Sequence, residues 1–187
     1  FKAVYFMPIA MATSIITAIF KIIMDPTNGT LNQFLRTINL DGLAMSWLGD
    51  PKIAMFSVIL VNIFQWMGFS MITYYAGLMS LPDDVYEAAK IDGAGFWRTT
   101  FSVTFPMVKG TTNVLLILGI VGSLKTFDLV KLLTAGGPGR TTTVMNTYLY
   151  EKAFNNFDAG GAASIGVAIL IIAMIMSFLQ IRLGKED

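Results

Sequence analysis

The chain has 187 residues, of which 55% are hydrophobic and only 13% are charged, against roughly 25% charged residues in an average soluble domain. Its formal net charge is +1, which gives no basis for nucleic acid binding, and it contains neither His nor Cys. This composition predicts a membrane protein and excludes disulfides, thiol nucleophiles and the common zinc sites.

The first predicted span covers residues 3–24. Residues 3–20 carry no charge and Lys21 can snorkel from the end, so the stretch reaches the roughly 20 residues that a helix needs to cross hydrocarbon. Pro8 lies near its start, where a kink is tolerated if neighbouring groups satisfy the backbone. Because Phe1 opens the chain inside apolar sequence, we expect a fragment that lacks N-terminal residues.

The segment after this span is predicted to connect two spans at the membrane surface. Residues 25–30 combine Asp, Pro, Asn and Gly, which are typical of turns. The mixed stretch up to Lys52 includes Trp47 and Leu48, and these favour a helix at the membrane interface because aromatic residues are enriched there.

The second predicted span covers residues 54–78, inside the uncharged run 53–82. Four of its side chains recur at i, i+3, i+4 and i+7 and therefore share one helix face: Asn62, Gln65, Trp66 and Phe69. This face combines hydrogen-bonding groups with aromatic rings. Sugars bind through both kinds of group, because aromatic rings stack on the apolar C–H face of a sugar and amides hydrogen-bond to its hydroxyls.

A polar interruption follows at residues 81–106 and carries its own helix signals. Pro82 suits the first position of a helix, and Asp83 and Asp84 then lie beside the positive end of its dipole. The small residues at 92–95 end that helix, and a second short helix follows. Two short helices with a small-residue corner predict a docking shape; the alternative is an ordinary capped loop.

The third predicted span covers residues 106–127. Four small or polar residues on one of its faces offer room and hydroxyl groups: Gly119, Gly122, Ser123 and Thr126. We interpret this face and that of the second span as a pathway for a polar solute. The alternative is that both faces only pack helix against helix, since small residues and Asn commonly join membrane helices.

The last part of the chain contains a Gly-rich connection and a fourth span. Residues 133–141, LTAGGPGRT, lack the Lys that follows the second glycine of a phosphate-binding loop, so a nucleotide site of that kind is excluded. Residues 143–154 have helical character, with Tyr148 and Tyr150 suited to an interface. Residues 160–181 carry no charge and predict the fourth span.

The polar interruption also resembles the signature of a known family. The letters EAAKIDGA at 87–94 are followed by Pro106, thirteen residues after Gly93. This order resembles the EAA motif in the membrane subunits of binding-protein-dependent ABC importers, and the form EAAKIDGA resembles the carbohydrate branch. The letters VTF at 103–105 depart mildly from the family's Ile-x-Leu and keep its apolar character.

The resemblance implies an all-α membrane protein: a single permease domain over residues 1–187, with four spans of the multi-span helical core of a type I ABC importer. It implies that residues 81–105 form a cytoplasmic coupling loop, which docks on a separate ATPase dimer. The docking residues that it implies are Glu87, Ala88, Ala89, Asp92, Gly93 and Ala94. Such a subunit is not an enzyme and holds no cofactor or metal, because ATP and Mg bind to the ATPase.

Further partners follow from the same resemblance. Residues 133–138, LTAGGP, resemble the LT-x-GGP motif of the maltose-F-like half of sugar permeases, which implies a heterodimer with a second permease subunit. An extracytoplasmic solute-binding protein would deliver a sugar or oligosaccharide to the outer connections of a subunit in the bacterial or archaeal inner membrane. In maltose-type permeases a substrate-contacting Asn coincides with Asn62, whereas Ser123 stands where another Asn is found.

Orientation and substrate stay open on the residues alone. Lys and Arg are almost equally numerous on the two sides, so the positive-inside rule does not orient the chain, and orientation rests on the resemblance. One alternative function is an importer of glycerol phosphate or another polar solute. A second is a passive channel or an ion-coupled carrier, against which no predicted span contains Asp or Glu. A membrane enzyme is disfavoured because His, Cys and paired carboxylates are missing from the spans.

Overall fold

The computed structural model describes residues 2–183, and the regular secondary structure within that range is helical. The predicted all-α class is therefore confirmed for the part of the chain that the structure describes. The helices are α1 (Lys2–Ala10), α2 (Thr13–Ile23), α3 (Thr30–Thr37), α4 (Ala54–Met79), α5 (Asp83–Ile91), α6 (Phe96–Thr99), α7 (Phe105–Met107), α8 (Lys109–Lys125), α9 (Asp128–Leu133), α10 (Met145–Tyr150) and α11 (Ala159–Leu183). Short 3-10 or π turns lie at Asp41–Leu43, Thr100–Thr104 and Glu151–Asn155.

Two helices are long and apolar enough to cross a membrane by themselves. They are α4, with 26 residues, and the residues Ala159–Arg182 of α11. At 1.5 Å per residue each exceeds the roughly 30 Å of a bilayer core, which leaves length for tilt. The spans predicted over 54–78 and 160–181 lie within these two helices. Most side chains of α11 are exposed, and few side chains of α4 are fully buried, as is expected for surfaces that face lipid or other helices.

The region predicted as the first span contains two helices rather than one. The axes of Val4–Ala10 and Thr13–Ile23 differ by 111°, so the span predicted over 3–24 is broken at Met11 and Ala12. Pro8 lies inside α1 and is buried, and its carbonyl accepts a 3.2 Å hydrogen bond from the N–H of Met11 as the helix ends. Proline weakens the helix here, because it removes one backbone donor and crowds the preceding turn.

The third predicted span is also bent near its start. The helical run Phe96–Met107 meets α8 at 63°, and α8 begins at Lys109 rather than at residue 106. The backbone widens into the π turn Thr100–Thr104 just before Pro106, whose ring would clash with the carbonyl four residues earlier in a regular helix. The 63° bend itself lies at Val108, where the two helical runs break, and α8 ends at Lys125, two residues before the predicted boundary.

The helix directions define two ends of the molecule. The near end holds residues 80–108, between the end of α4 and the start of α8. The far end holds residues 24–53 and 126–158, next to the start of α4, the end of α8 and the start of α11. A buried cluster from α2, α4 and α9 lies toward the far end and includes Ile16, Met24, Val58, Val61, Leu129, Val130 and Leu133.

The far-end connection 24–53 corrects one local prediction. Trp47 and Leu48 were expected in an interfacial helix, but they lie in turns, and the α-helix of this connection is α3. Gly49 and Pro51 do not favour a helix through this stretch. Trp47 instead folds back, and its indole N–H donates to the side chain of Asn32 in α3.

Candidate functional site

A cavity of about 400 Å³ lies between α4 and α8, with further walls from α2 and α9. All eight residues that the two helix faces predicted for a pathway line it: Asn62, Gln65, Trp66, Phe69, Gly119, Gly122, Ser123 and Thr126. The volume falls in the range of about 300–1,000 Å³ that small-molecule sites occupy. The structure therefore brings two faces, separated by some fifty residues of chain, to opposite sides of one space.

The polar groups of the cavity are mainly amides and hydroxyl oxygens. Gln65 is buried, and its Nε2 donates to Oγ1 of Thr13 in α2 at 3.1 Å. The hydroxyls of Ser123 and Thr126 donate to the carbonyls of Ile120 and Gly122 within α8, at 2.8 and 3.1 Å. Their oxygens keep lone pairs for a bound hydroxyl group, because a hydroxyl that donates once can still accept. These amides and hydroxyl oxygens can therefore hydrogen-bond to the hydroxyl groups of a bound polyol.

Aromatic side chains and glycines complete the cavity. The rings of Trp66 and Phe69 meet edge to face, with centroids 6.2 Å apart and an interplanar angle of 89°. A Cβ added at Gly119 or Gly122 would meet no other atom within 4 Å, so these glycines open the α8 wall. Trp66 stays half exposed at 49%, which leaves its ring able to stack against a ligand.

Sequence reasoning missed several cavity residues. Beyond the predicted set, the wall also contains Thr13, Ser70, Leu115, Leu118, Lys125, Phe127, Asp128 and Leu129. Ser70 could have been found, because it lies eight residues after Asn62 and so shares its helix face. Thr13 carried no sequence signal, since its bond to Gln65 joins residues 52 positions apart.

Toward the near end, α4 and α8 are held together beside the cavity. The hydroxyl of Tyr74 donates to Oγ1 of Thr112 at 3.0 Å. One turn further along α4, Gly77 packs so closely on Thr111 that an added Cβ would collide with its hydroxyl. The two helices that flank the cavity therefore converge on its near-end side.

The predicted docking residues surround the corner that ends α5. This helix runs Asp83–Ile91 with Pro82 as its N-cap residue, so it begins one residue later than the sequence predicted. Gly93 has φ +68°, and its N–H donates to the carbonyl of Lys90 at 3.0 Å, while the N–H of Ala94 donates to the carbonyl of Ala89 at 2.9 Å. This is the left-handed helix end for which glycine is preferred.

The six docking residues do not all face outward. Glu87, Ala88, Asp92 and Gly93 are exposed, Ala94 is half-buried, and Ala89 is buried with 7% of its surface exposed. Ala89 therefore packs within the chain, and of the two alanines Ala88 is the one open to a partner. Both alanines were expected among the residues that dock on the ATPase, whereas Ala89 packs against its own chain.

An exposed apolar patch adjoins this corner, and the sequence reasoning did not recognise it as part of a surface. Its members are Ile91, Phe96, Trp97, Phe101 and Phe105, each at least 62% exposed. The rings of Trp97 and Phe101 stack with an interplanar angle of 13°. Exposed apolar patches of this kind mark surfaces that contact another protein or a membrane.

Comparisons with known proteins agree with this architecture. A family model described as "Binding-protein-dependent transport system inner membrane component" matches residues 1–185. The chain is 37% identical to the "Probable ABC transporter permease protein YurN" of Bacillus subtilis, covering all of this chain and 65% of that protein. It is 29% identical to the "Trehalose/maltose transport system permease protein MalF" of Thermococcus litoralis, again over all of this chain and 63% of that protein.

A solved structure extends the likeness to three dimensions. A bacterial alginate ABC transporter, in complex with alginate pentasaccharide-bound periplasmic protein, contains a chain that superposes with a TM-score of 0.87 and 25% identity. The match covers 98% of the present chain and 64% of that chain. The chain thus spans less than two thirds of the length of these relatives.

Proposed function

The chain belongs to the family of binding-protein-dependent transport system inner membrane components, and on that basis we propose that it forms part of the membrane pathway of an ATP-driven importer of a sugar or oligosaccharide. The observation that carries the proposal is the cavity between α4 and α8, where amides, hydroxyl oxygens and aromatic rings line one space. The Thermococcus litoralis relative is named for trehalose/maltose transport, and the structurally similar bacterial transporter is involved in the import of alginate; both support a carbohydrate as the substrate class.

The proposed energy source is a separate ATPase that docks at the near end. Glu87, Ala88, Asp92 and Gly93 are exposed around the α5 corner, and the exposed aromatic patch lies beside them. Glu87 offers a carboxylate to a cationic or N–H donor of the partner, and Gly93 provides the turn. In this proposal ATP and Mg bind to the ATPase dimer, and the present subunit supplies no catalytic group.

The proposal places the near end in the cytoplasm and the far end outside. A second permease subunit would complete the pathway and supply the second docking loop, as the LTAGGP stretch at 133–138 suggests. A solute-binding protein would meet the far-end connections 24–53 and 126–158, and the exposed apolar helix faces would contact lipid. The membrane would be the inner membrane of a bacterium or archaeon.

The cavity can be tested with two variants on α4, Asn62→Ala and Trp66→Ala. We expect sugar uptake to fall about two- to tenfold for each, because a lost hydrogen bond or stacked ring is worth roughly 0.5–1.5 kcal/mol. ATPase activity stimulated by the loaded binding protein should be retained. Ile63→Ala is the matched control, since Ile63 lies on the same helix, is 54% exposed and does not line the cavity.

The readouts separate a pathway from a packing role. Unchanged uptake in both cavity variants would mean that these faces only pack helix against helix. Loss of uptake in the Ile63→Ala control as well would show that α4 tolerates no change at all, and the cavity assignment would lose its support.

A further inference from the structure

A second pocket, of about 320 Å³, lies at the far end and is lined mainly by polar groups. Its walls come from α9, the Gly-rich loop, α10 and the π turn that follows α10. The charged and amide side chains that line it are Lys131, Arg140, Glu151 and Asn155. None of them was singled out by the sequence patterns, and none belongs to the cavity between α4 and α8.

The Gly-rich wall of this far-end pocket is rigidly built. Thr142 is fully buried, and its hydroxyl donates to the carbonyl of Gly137 at 2.7 Å. The Oγ1 atoms of Thr142 and Thr134 lie 2.7 Å apart, and the hydroxyl of Thr143 donates to the carbonyl of Gly136 at 3.3 Å. A loop that satisfies its own backbone in this way presents a preformed surface, which costs little ordering entropy when a partner binds.

The charges of the pocket favour an anion. Nη2 of Arg140 contacts Oε1 of Glu151 at 2.6 Å, so this carboxylate is already paired. The Arg140 side chain is still 67% exposed, and its remaining N–H groups can donate to a second carboxylate. Nζ of Lys131 lies 4.8 Å from the centre of the Tyr150 ring, and no carboxylate lies within ion-pair distance of it in the described part of the chain. The lining thus carries one more positive than negative charge.

The far-end pocket adjoins the wall of the cavity. Helix α9 contributes Asp128 and Leu129 to the cavity and Lys131 to the pocket. Phe127 lines the cavity, and its ring centroid lies 5.1 Å from that of Tyr150, the same ring over which Lys131 is placed. A group bound in the pocket therefore touches the elements that shape the cavity.

We propose that the far-end pocket receives an acidic side chain of the solute-binding protein, an Asp or Glu that enters between Lys131 and Arg140. This inference rests on the proposed function, because it needs a binding protein on the far side of the membrane. The partner chemistry follows from the excess positive charge, the preformed loop and the room for one side chain. Charged pairs of this kind set the orientation of a partner and its rate of association.

The test uses the full-length permease in its complete transporter, reconstituted in lipid nanodiscs, and a fluorescently labelled solute-binding protein that activates it. Lys131→Gln and the double variant Arg140→Gln with Glu151→Gln remove the cations without leaving an unpaired carboxylate. We expect each to raise the Kd of the binding protein about tenfold or more. Lys21→Gln is the matched control, because Lys21 is an exposed cation in the last turn of α2 that lies outside both the pocket and the two far-end connections.

A charge-reversal pair gives the sharper result. Lys131→Glu should abolish binding, and an Asp→Lys or Glu→Lys substitution at one surface position of the binding protein should restore it. Unchanged Kd for Lys131→Gln and the double variant would overturn the proposal. The proposal would also be overturned if trigalacturonate bound directly to the permease in the absence of the binding protein and if Lys131→Gln abolished that binding. The pocket would then recognise a free acidic sugar.

Failure of this inference can be told from failure of the proposed function. If the unmodified transporter shows ATPase stimulation by the loaded binding protein, and Asn62→Ala loses uptake, the function stands whatever the pocket variants do. If no binding protein stimulates the unmodified transporter, the proposed function itself fails.

Discussion

The indole N–H of Trp47 donates a 2.7 Å hydrogen bond to Oδ1 of Asn32, and this bond joins the two halves of the first far-end connection. Nδ2 of Asn32 donates in turn to the carbonyls of Pro26 and Met45, at 3.2 and 2.9 Å. Asn32 is 1% exposed, so one buried amide uses both its donor and its acceptor sides to hold the connection. The carbonyl of Trp47 then accepts from the hydroxyl of Ser57, which ties the connection to α4.

Removal of this amide should destabilise the protein. Asn32→Ala leaves the Trp47 N–H and two carbonyls without their partner, and buried unsatisfied groups cost about 1–3 kcal/mol each. We expect the free energy of unfolding in detergent to fall by about 3 kcal/mol. Gln33→Ala, an exposed neighbour on α3, is the control and should change it by no more than about 0.5 kcal/mol. Equal stability of the two variants would contradict the structural role of Asn32.

Gly68 of α4 lies directly against the backbone of α1. A Cβ added there would overlap the carbonyl of Tyr5, which is backbone and cannot rotate away. We expect Gly68→Ala to lower the free energy of unfolding by about 1–3 kcal/mol, because the helices must move apart. Gly110→Ala provides the comparison: its Cβ meets nothing within 4 Å, and alanine favours a helix by up to about 1 kcal/mol. Equal stability of the two variants would show that α1 does not pack on α4 in this way.

The corner after α5 should not tolerate a side chain at Gly93. With φ +68° the residue is left-handed, and a non-glycine residue costs about 1–2 kcal/mol there. We expect Gly93→Asp and Glu87→Lys to leave the subunit in the membrane but to lower uptake and co-purification of the ATPase about tenfold. Gly95→Ala is the control, since Gly95 is also exposed and has φ −70°. Normal uptake and full ATPase recovery with Gly93→Asp would reject the docking assignment.

Asp158 gives the protein a pH-dependent contact at the start of α11. Its Oδ1 accepts from the N–H of Gly161 at 2.8 Å, and Nζ of Lys152 lies 3.3 Å from its Oδ2. The Gly161 N–H, followed by Lys152, holds the pKa of Asp158 below its usual 3.8. A lowered folded-state pKa means that the carboxylate stabilises the fold above its unfolded pKa and that this contribution is lost as the pH falls through the lowered value.

Asp158→Asn should therefore lower the Tm at pH 7 and lose that difference well below pH 3.8. Asp41→Asn is the control, because the Asp41 carboxylate is exposed and accepts no hydrogen bond from any residue that the structure describes. This variant should leave the Tm unchanged at both pH values. A Tm decrease in Asp158→Asn that persists unchanged at acid pH would show that the contact acts through packing rather than through charge.

Periodicity and helix signals in the sequence were sufficient to predict much of this architecture. Helix geometry fixes which residues share a face, so Asn62, Gln65, Trp66 and Phe69 could be grouped before their surroundings were known, and all four line the cavity. The α5 corner was also readable, because glycine is the residue that a left-handed helix end favours, and Gly93 adopts φ +68°. Their roles in transport and docking stay predictions.

By itself, the sequence determined the helical class, the membrane composition, the family signature at 87–94 and the residues on each helix face, because these depend on neighbours along the chain. Only the tertiary structure decided how the faces meet. Three findings are of this kind. Helices α1 and α2 turn by 111°, Ala89 faces inward, and Gln65 bonds to Thr13 across 52 residues. Such contacts depend on how whole helices pack, and packing between distant segments leaves no periodic pattern in either one.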